Sequence, residues 1–274
     1  MTVKFTKMTG AGNDFVVVDN RTRRIHDGSK AAKLLCDRRW GVGADGLLLL
    51  EKSRRGDYRM MYYNADGSYG GMCGNGGRCI ASYAVKHRIA PKKHVFEALD
   101  HCYSVVVGPK NIALSMKDPH SLRLSDILNL DSNRQPFNFV DTGSPHVVIP
   151  LEELEGQPGS LDAVDIAAFG PRVRYHPHFA PAGTNVNIIE RTGPNSLNIR
   201  TYERGVEEET LACGTGAIAG AVVAFRLWGL NRPIRVLPRS KLPLLVDFDE
   251  TAGNIGNVRL VGPAATVFEG EIQL

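Results

Sequence analysis

Met72-Cys73-Gly74-Asn75-Gly76-Gly77-Arg78-Cys79 opens one apolar run, and Cys213-Gly214-Thr215-Gly216-Ala217 opens another 140 residues later. In each, a thiol stands directly before glycines and a helical pattern follows. The N–H groups of a first helical turn have no partner within the helix and lie at the positive end of its dipole. A cysteine placed there is expected to carry some thiolate character. The same N–H groups can hold a carboxylate or phosphate. Two such sites in one chain suggest two thiols facing one anionic substrate.

The segments around the two cysteines can be laid over one another. Thr9-Gly10 precedes an apolar strand, and so does Thr142-Gly143, 133 residues on. Asn64 lies nine residues before Cys73, and Arg204 lies nine before Cys213. Two copies make a duplication at domain scale rather than a solenoid. The helix after Cys213 is apolar on nearly every face, with Ile218, Ala221, Val222, Val223, Phe225, Leu227 and Trp228. Such a helix must be surrounded. The expected fold class is α+β: two pseudo-symmetric domains from an internal duplication, each a β-barrel-like sheet wrapped around a central helix. The cysteine ends are expected at the cleft between them. Asp118-Pro119 marks the boundary, giving an N-terminal half of residues 1–117 and a C-terminal half of residues 118–262.

Apolar and β-branched runs place strands at residues 3–6, 15–18, 47–51, 58–64, 95–98, 102–107 and 111–116 of the first half. In the second half they fall at 137–141, 147–149, 186–190, 197–203, 234–237, 244–247 and 255–260, and the tail 266–272 is a last strand. Helices are expected over 30–38 with Ser29 as N-cap, over 76–88 ahead of Pro91, and over 164–169, closed by Gly170-Pro171. A fourth runs from the second cysteine site to Trp228 and ends at Gly229.

With 43% hydrophobic and 23% charged residues, the 274-residue chain reads as soluble and globular rather than disordered. A net charge of +4 without a basic block excludes a nucleic-acid footprint, and Arg21-Thr22-Arg23-Arg24 reads as a solvated loop. The longest aliphatic run near the start is 47–50, far short of a membrane span, and Met1-Thr2-Val3-Lys4-Phe5 is no signal-peptide core. Five cysteines at 36, 73, 79, 102 and 213 form neither a disulfide framework nor a zinc pattern, so a reducing, cytoplasmic setting is expected. Cys36, Cys79 and Cys102 read as small core residues. The segment 41–46 lacks dinucleotide spacing and CGNGGRC lacks the Lys-Ser/Thr of a P-loop, so no such cofactor is expected. The eight histidines show no H-x₃-H spacing, and no metal site is expected.

Inverting a carbon centre needs a base on one face and an acid on the other. A thiolate and a thiol can exchange those roles with the direction of reaction. A substrate carboxylate held by both helix starts would be stabilised as charge builds on it. Glu203 could bind an ammonium and Arg204 a second carboxylate. Asn13, Asn64 and Asn185 offer both donors and acceptors, although any one of them taken singly reads better as a turn residue. His146, in the turn after Ser144-Pro145, is a further polar candidate. Together these residues describe a pocket for a zwitterion.

The chain resembles the diaminopimelate epimerase family. The matching segments are GAGNDF (10–15), GVGADG (41–46), YNADGS (63–68), MCGNGGRC (72–79), GSPH (143–146), GTNVN (183–187), YERG (202–205) and ETLACGTG (209–216). The closing GPA (262–264) and VFEGEI (267–272) match too, so the resemblance spans essentially the whole chain.

The resemblance implies interconversion of LL- and meso-diaminopimelate by a two-base mechanism without pyridoxal phosphate or metal. It assigns Cys73 and Cys213 as base and acid, and Gly74-Asn75 and Gly214-Thr215 as backbone donors to the carboxylate at the reacting centre. Asn13, Asn64, Asn185, Glu203 and Arg204 match substrate-binding side chains, with His146 and Glu203 as polar groups near the cysteines. It further implies a homodimer, and a C-terminal strand within residues 263–274 that completes the first domain. The chain departs from the family pattern at Gly46, where some members have glutamine, and at Ser144, where some have asparagine. The stretch from Glu203 to Cys213 is one residue longer than the commonest form. A proline or hydroxyproline racemase shares the two-cysteine logic but has no need of Glu203-Arg204 and three asparagines. A non-catalytic amino-acid binder has no need of two thiols at helix starts.

Overall fold

The computed structural model describes residues 1–131 and 133–274. In chain order the elements are β1 (Thr2–Gly10), β2 (Asn13–Asp19), α1 (Gly28–Leu35), β3 (Gly46–Glu51), β4 (Tyr58–Asn64), α2 (Gly74–Lys86), β5 (Lys93–Ala98), β6 (His101–Val107) and β7 (Ile112–Ser115). They continue with β8 (His120–Leu130), β9 (Asn133–Asp141), β10 (Pro145–Pro150), α3 (Ile166–Arg174), β11 (Asn185–Gly193), β12 (Ser196–Glu203), β13 (Glu208–Thr210), α4 (Gly214–Trp228), β14 (Ile234–Leu237), β15 (Leu244–Thr251), β16 (Asn254–Gly262) and β17 (Ala265–Gln273). Two compact units result: Met1–Ser115 together with Val261–Leu274, and Met116–Leu260.

The two units repeat one strand pattern. In the first, β17 is antiparallel to β1, β1 antiparallel to β2, β2 parallel to β3, β3 antiparallel to β4, β4 parallel to β5, and β5 antiparallel to β6. In the second, β8, β9, β10, β11, β12, β14 and β15 follow in the same alternation of antiparallel and parallel pairs. Helix α1 bridges a parallel pair in the first unit as α3 does in the second, and α2 corresponds likewise to α4. The one difference of origin is the outermost strand, supplied by the chain's end in one unit and by β8 in the other.

Each unit wraps its sheet around the helix that starts at a cysteine. Helix α2 packs against β1, β2, β3, β4, β6 and β7, and α4 against β9, β10, β11, β12, β14 and β15. The all-round apolar pattern of α4 follows from this, since Ile218, Ala221, Val222 and Val223 are fully buried. Each such isoleucine or valine contributes about 2 kcal/mol by leaving water. The helix ends at Gly229, which takes the left-handed conformation at φ 62°. On the other side of each sheet, α1 packs with Val16, Val18, Leu47 and Leu49, and α3 with Val147, Ile149, Val186 and Ile188.

Several local expectations need correction. The N-cap of α1 is Asp27, whose carboxylate accepts from Lys30 N, rather than Ser29. Helix α3 does not close at Gly170-Pro171 but runs through Pro171 to Arg174. Burial of Val173 in the second unit's core outweighs the one helical bond that proline cannot make. Cys102 is half-buried, with Sγ 3.6 Å from Arg55 O, rather than a core residue. Strands β8 and β13 were not expected at all.

Candidate active site

In the first unit, Cys73 is the N-cap of α2, held extended at φ −123° and ψ 121°. The helix start is pressed against the sheet. A Cβ at Gly10, the last residue of β1, would lie 2.9 Å from Asn75 O and 3.0 Å from Cys79 Sγ. That contact distance allows only glycine.

The loops carrying GAGNDF and GVGADG dock on each other. Asp14 N donates to Asp45 Oδ2 (3.2 Å), and Asp45 N donates to Asp14 Oδ1 (2.8 Å). Arg38 bridges the two carboxylates at 3.1 and 2.8 Å, and Lys7 adds an ion pair to Asp14 at 2.8 Å. Burial pushes the Asp14 carboxyl up, but the bonds from Arg38 and Lys7 outweigh it and hold the group at about 2. This ionised cluster orients Asn13, whose Nδ2 donates to Asp45 Oδ2 (3.2 Å) while Oδ1 accepts from Asn75 Nδ2 (2.5 Å). Asn75 Oδ1 in turn accepts from Arg78 Nη2 (2.6 Å). Asn13 and Asn75 are thus brought together at the start of α2.

Asn64 belongs to a different network. Its Nδ2 donates to Ser68 Oγ (2.9 Å) and its Oδ1 accepts from the Tyr62 hydroxyl (2.6 Å), which ties it into its own turn. Gly46 pairs with Asn64 across β3 and β4. A Cβ at Gly46 would sit 2.5 Å from the Tyr62 ring and 2.7 Å from Tyr63 O. Tyr62 therefore fills the space that a side chain at position 46 would need.

In the second unit, Cys213 is the N-cap of α4, and its Sγ accepts from Gly216 N at 3.4 Å. Thr215 Oγ1 lies 3.4 Å from the same sulfur. The Glu203 carboxyl, at the end of β12, accepts from Thr210 Oγ1 (2.8 Å) and is hydrogen-bonded to Cys213. Burial pushes this carboxyl above the usual range, and the bonds from Thr210 and Cys213 only partly offset it. A carboxyl of raised proton affinity beside a thiol can accept the thiol's proton.

His146 is fully buried at the start of β10. Burial and then the Arg204 charge push it down to about 3, against an opposing bond from Asn187. The imidazole is neutral at physiological pH. Its Nε2 is 3.0 Å from Ser144 Oγ, and Ser144 Oγ is 3.4 Å from Thr215 Oγ1. Thr142 Oγ1 fixes the helix start by donating to Thr215 O (3.0 Å). Asn185 holds the strand ends together: Nδ2 donates to Pro145 O (2.9 Å) and Oδ1 accepts from Arg204 N (2.9 Å). The Arg204 guanidinium reaches Ala182 O (3.3 Å). Cys213, Thr215, Ser144, His146, Asn185, Glu203 and Arg204 thus form one continuous polar cluster.

Several residues of these clusters were not singled out from the sequence, among them Lys7, Arg38, Asp45, Tyr62, Arg78, Asn187 and Thr210. Arg78 had a signal, being the one charge on an otherwise apolar or glycine-rich stretch. Asn187 had another, since it shares a strand face with Asn185 at a spacing of two.

A family model described as diaminopimelate epimerase matches residues 5–100 and 138–253, one stretch in each unit. The chain is 42% identical to a diaminopimelate epimerase of Chlorobaculum tepidum over 97% of this chain and 100% of that protein. It is 38% identical to one of Flavobacterium psychrophilum, over 98% of this chain and 100% of that protein. A probable proline racemase from Agrobacterium radiobacter shares the fold, with a TM-score of 0.72 over 99% of this chain and 92% of that one, at 13% identity. Two copies of one β-wrapped helix, each begun by a cysteine, and full-length identity of this order place the chain in the diaminopimelate epimerase family.

Proposed function

We propose that the protein interconverts LL- and meso-2,6-diaminopimelate, as a pyridoxal-phosphate-independent isomerase serving lysine and peptidoglycan-precursor synthesis. The observation that carries this reading is the pair of cysteine N-caps, Cys73 on α2 and Cys213 on α4, at equivalent places in two copies of one fold. One thiolate removes the α-proton, and the other thiol delivers a proton to the opposite face of the resulting carbanion. The backbone N–H groups of Gly74-Asn75 and Gly214-Thr215 hold the carboxylate at the reacting centre, where negative charge grows in the transition state. Asn13, Asn64, Asn185, Glu203 and Arg204 recognise the substrate, and His146 and Glu203 support the thiols. Glu203 is the group best suited to receive the Cys213 proton, because its carboxyl is bonded to that thiol and its proton affinity is raised. The chain works in the cytoplasm as a homodimer in this reading, which light scattering of the purified protein would check.

The test is proton exchange. The reduced protein is incubated with LL-diaminopimelate in D₂O and the α-protons are followed by NMR. Loss of the α-proton signal with appearance of the meso isomer is expected. Exchange with L-proline or hydroxyproline but not diaminopimelate would move the assignment to a racemase. Normal turnover by both Cys73→Ser and Cys213→Ser would sink the two-thiol mechanism.

A further inference from the structure

Arg78 is the largest fully buried side chain among the described residues, at 0% exposure, and it sits one turn into α2 behind Cys73. A guanidinium out of water is normally matched by a carboxylate. Here its hydrogen bonds go to neutral acceptors: Asn75 Oδ1 at 2.6 Å, Gly74 O at 3.3 Å and Pro263 O at 3.4 Å. The charges on the strands around α2 are engaged elsewhere, Lys4 with Glu271, Lys7 with Asp14, Asp19 with Arg21, Glu51 with Asn20 and Arg59 with Glu97. On the helix itself, Lys86 pairs with Glu269. Burial pulls the proton affinity of the guanidinium down, and the thiols of Cys79, the next residue, and Cys73, the N-cap beside the Gly74 carbonyl that Arg78 holds, act against it. They differ in what they can do. Cys79 is enclosed, and burial pushes its thiol up to about 12, so it stays neutral. Cys73 is half-buried at the helix start, where an anion is favoured.

We propose that Arg78 is a positioning residue for the chemistry at Cys73: it supplies the fixed buried charge against which that thiol ionises, and it fixes the orientation of the Asn75 amide. The second role follows from donor arithmetic. A guanidinium only donates, so the Asn75 atom it touches is the amide oxygen, and the amide nitrogen must face Asn13 Oδ1. That leaves Asn13 Nδ2 for Asp45. The pair of amides is therefore pinned at both ends, by Arg78 at Asn75 and by Asp45 at Asn13. The inference bears on turnover through the epimerase reading, but its own test does not depend on turnover.

The test is site-resolved alkylation of the full-length reduced protein with iodoacetamide between pH 5 and 10, read by peptide mass spectrometry. In the unmodified chain, the Cys73 midpoint is expected below the ordinary thiol value of about 8.5. It should barely move between low and high salt, because a buried charge is poorly screened. Arg78→Met should raise the Cys73 midpoint by about one unit, a roughly tenfold loss of thiolate at pH 7, with the Cys213 midpoint unchanged. Arg78→Lys, which keeps the charge but not the fork, should restore most of the midpoint. A Cys73 midpoint at or above 8.5 in the unmodified chain overturns the proposal without any variant. So does an unchanged midpoint in folded Arg78→Met, or equal shifts at both cysteines, which would mark general loosening. Absence of proton exchange on diaminopimelate, with these alkylation results intact, would remove the epimerase reading and leave the role of Arg78 standing.

Discussion

Asn187 fixes the tautomer of His146. Its Nδ2 donates to the backbone carbonyl of Val147 at 2.8 Å and lies 3.0 Å from His146 Nδ1. A carbonyl only accepts, so that atom is the amide nitrogen, and its second proton goes to the imidazole. Thr201 Oγ1, which donates to Asn187 Oδ1 at 3.0 Å, holds the amide the same way round. Nδ1 of His146 is therefore the acceptor and Nε2 carries the proton toward Ser144.

A buried imidazole held down to about 3 makes folding pH-dependent. Below pH ~6.5 the unfolded chain takes up a proton that the folded chain refuses until the pH nears 3. The stability present above 6.5 is therefore lost as the pH falls through that window, by about 2 kcal/mol at pH 5 from this group alone. Replacing it with glutamine should flatten the fall. The measurement is the melting temperature of the parent and His146→Gln at pH 7 and pH 5. An equal drop in both would mean that His146 is not the acid-sensitive group.

Ser144 is the acceptor for the proton on His146 Nε2. Ser144→Ala would leave a buried N–H without its partner, at a cost of about 1–3 kcal/mol. Ser144→Asn restores an acceptor and should recover most of the loss. Urea midpoints of the three proteins decide the matter. Equal midpoints for serine and alanine would mean that the bond contributes nothing.

The fold was legible where residues repeat and where a helix has no polar face. The two thiol–glycine segments led to the duplication, and the apolar girth of α4 led to a sheet wrapped around it. Strand β8 was not legible, because most of its side chains are exposed and its sequence HSLRLSDILNL shows no clean alternation. It exists by pairing with β9, with register breaks around Arg123. Pro171 misled for the opposite reason, since a local rule gave way to the burial of Val173. At the candidate site the positions of the polar residues were legible, but not their bonds. Nothing in the sequence places Arg78 on Asn75 and Asn75 on Asn13, because that chain crosses from a helix to the first residue of a strand 62 residues away.

Glu203 and His146 should pull the pH dependence in opposite directions. The Glu203 carboxyl is raised by burial, so the folded chain binds its proton more tightly than the unfolded chain. That contribution favours the folded state below the unfolded value of about 4.3 and is lost as the pH rises through the folded one. In the proposed reaction the unprotonated form accepts the Cys213 proton, so the acidic limb of kcat/KM should lie above the ordinary glutamate range. Glu203→Gln should remove that limb and lower kcat by roughly 10²–10⁴-fold. A variant that retains both the limb and the rate would show that Cys213 loses its proton to another group.

Gly216 is where the helix start, the thiol and the histidine's partner converge. A Cβ there would lie 2.6 Å from Asn187 Oδ1, 3.2 Å from Cys213 Cβ and 3.3 Å from Cys213 Sγ. Alanine for glycine inside a helix ordinarily stabilises by about 1 kcal/mol. At Gly216 the methyl group has no room, and Asn187 cannot retreat, being held by Val147 O and Thr201 Oγ1. The displacement therefore falls on Cys213. Gly216→Ala is expected to lose roughly 10²-fold in turnover, as a misplacement of about 1 Å at a reacting group does. The control lies one turn further along α4. A Cβ at Gly220 would meet side-chain methyl groups, Ile199 Cδ1 at 3.1 Å, Ile189 Cγ2 at 3.2 Å and Leu197 Cδ1 at 3.9 Å. Gly220→Ala should therefore change stability by less than about 1 kcal/mol and leave turnover near that of the parent. Equal activity in both variants would mean that the position of Cys213 does not limit the reaction, whereas loss in the first alone ties catalysis to the geometry of this helix start.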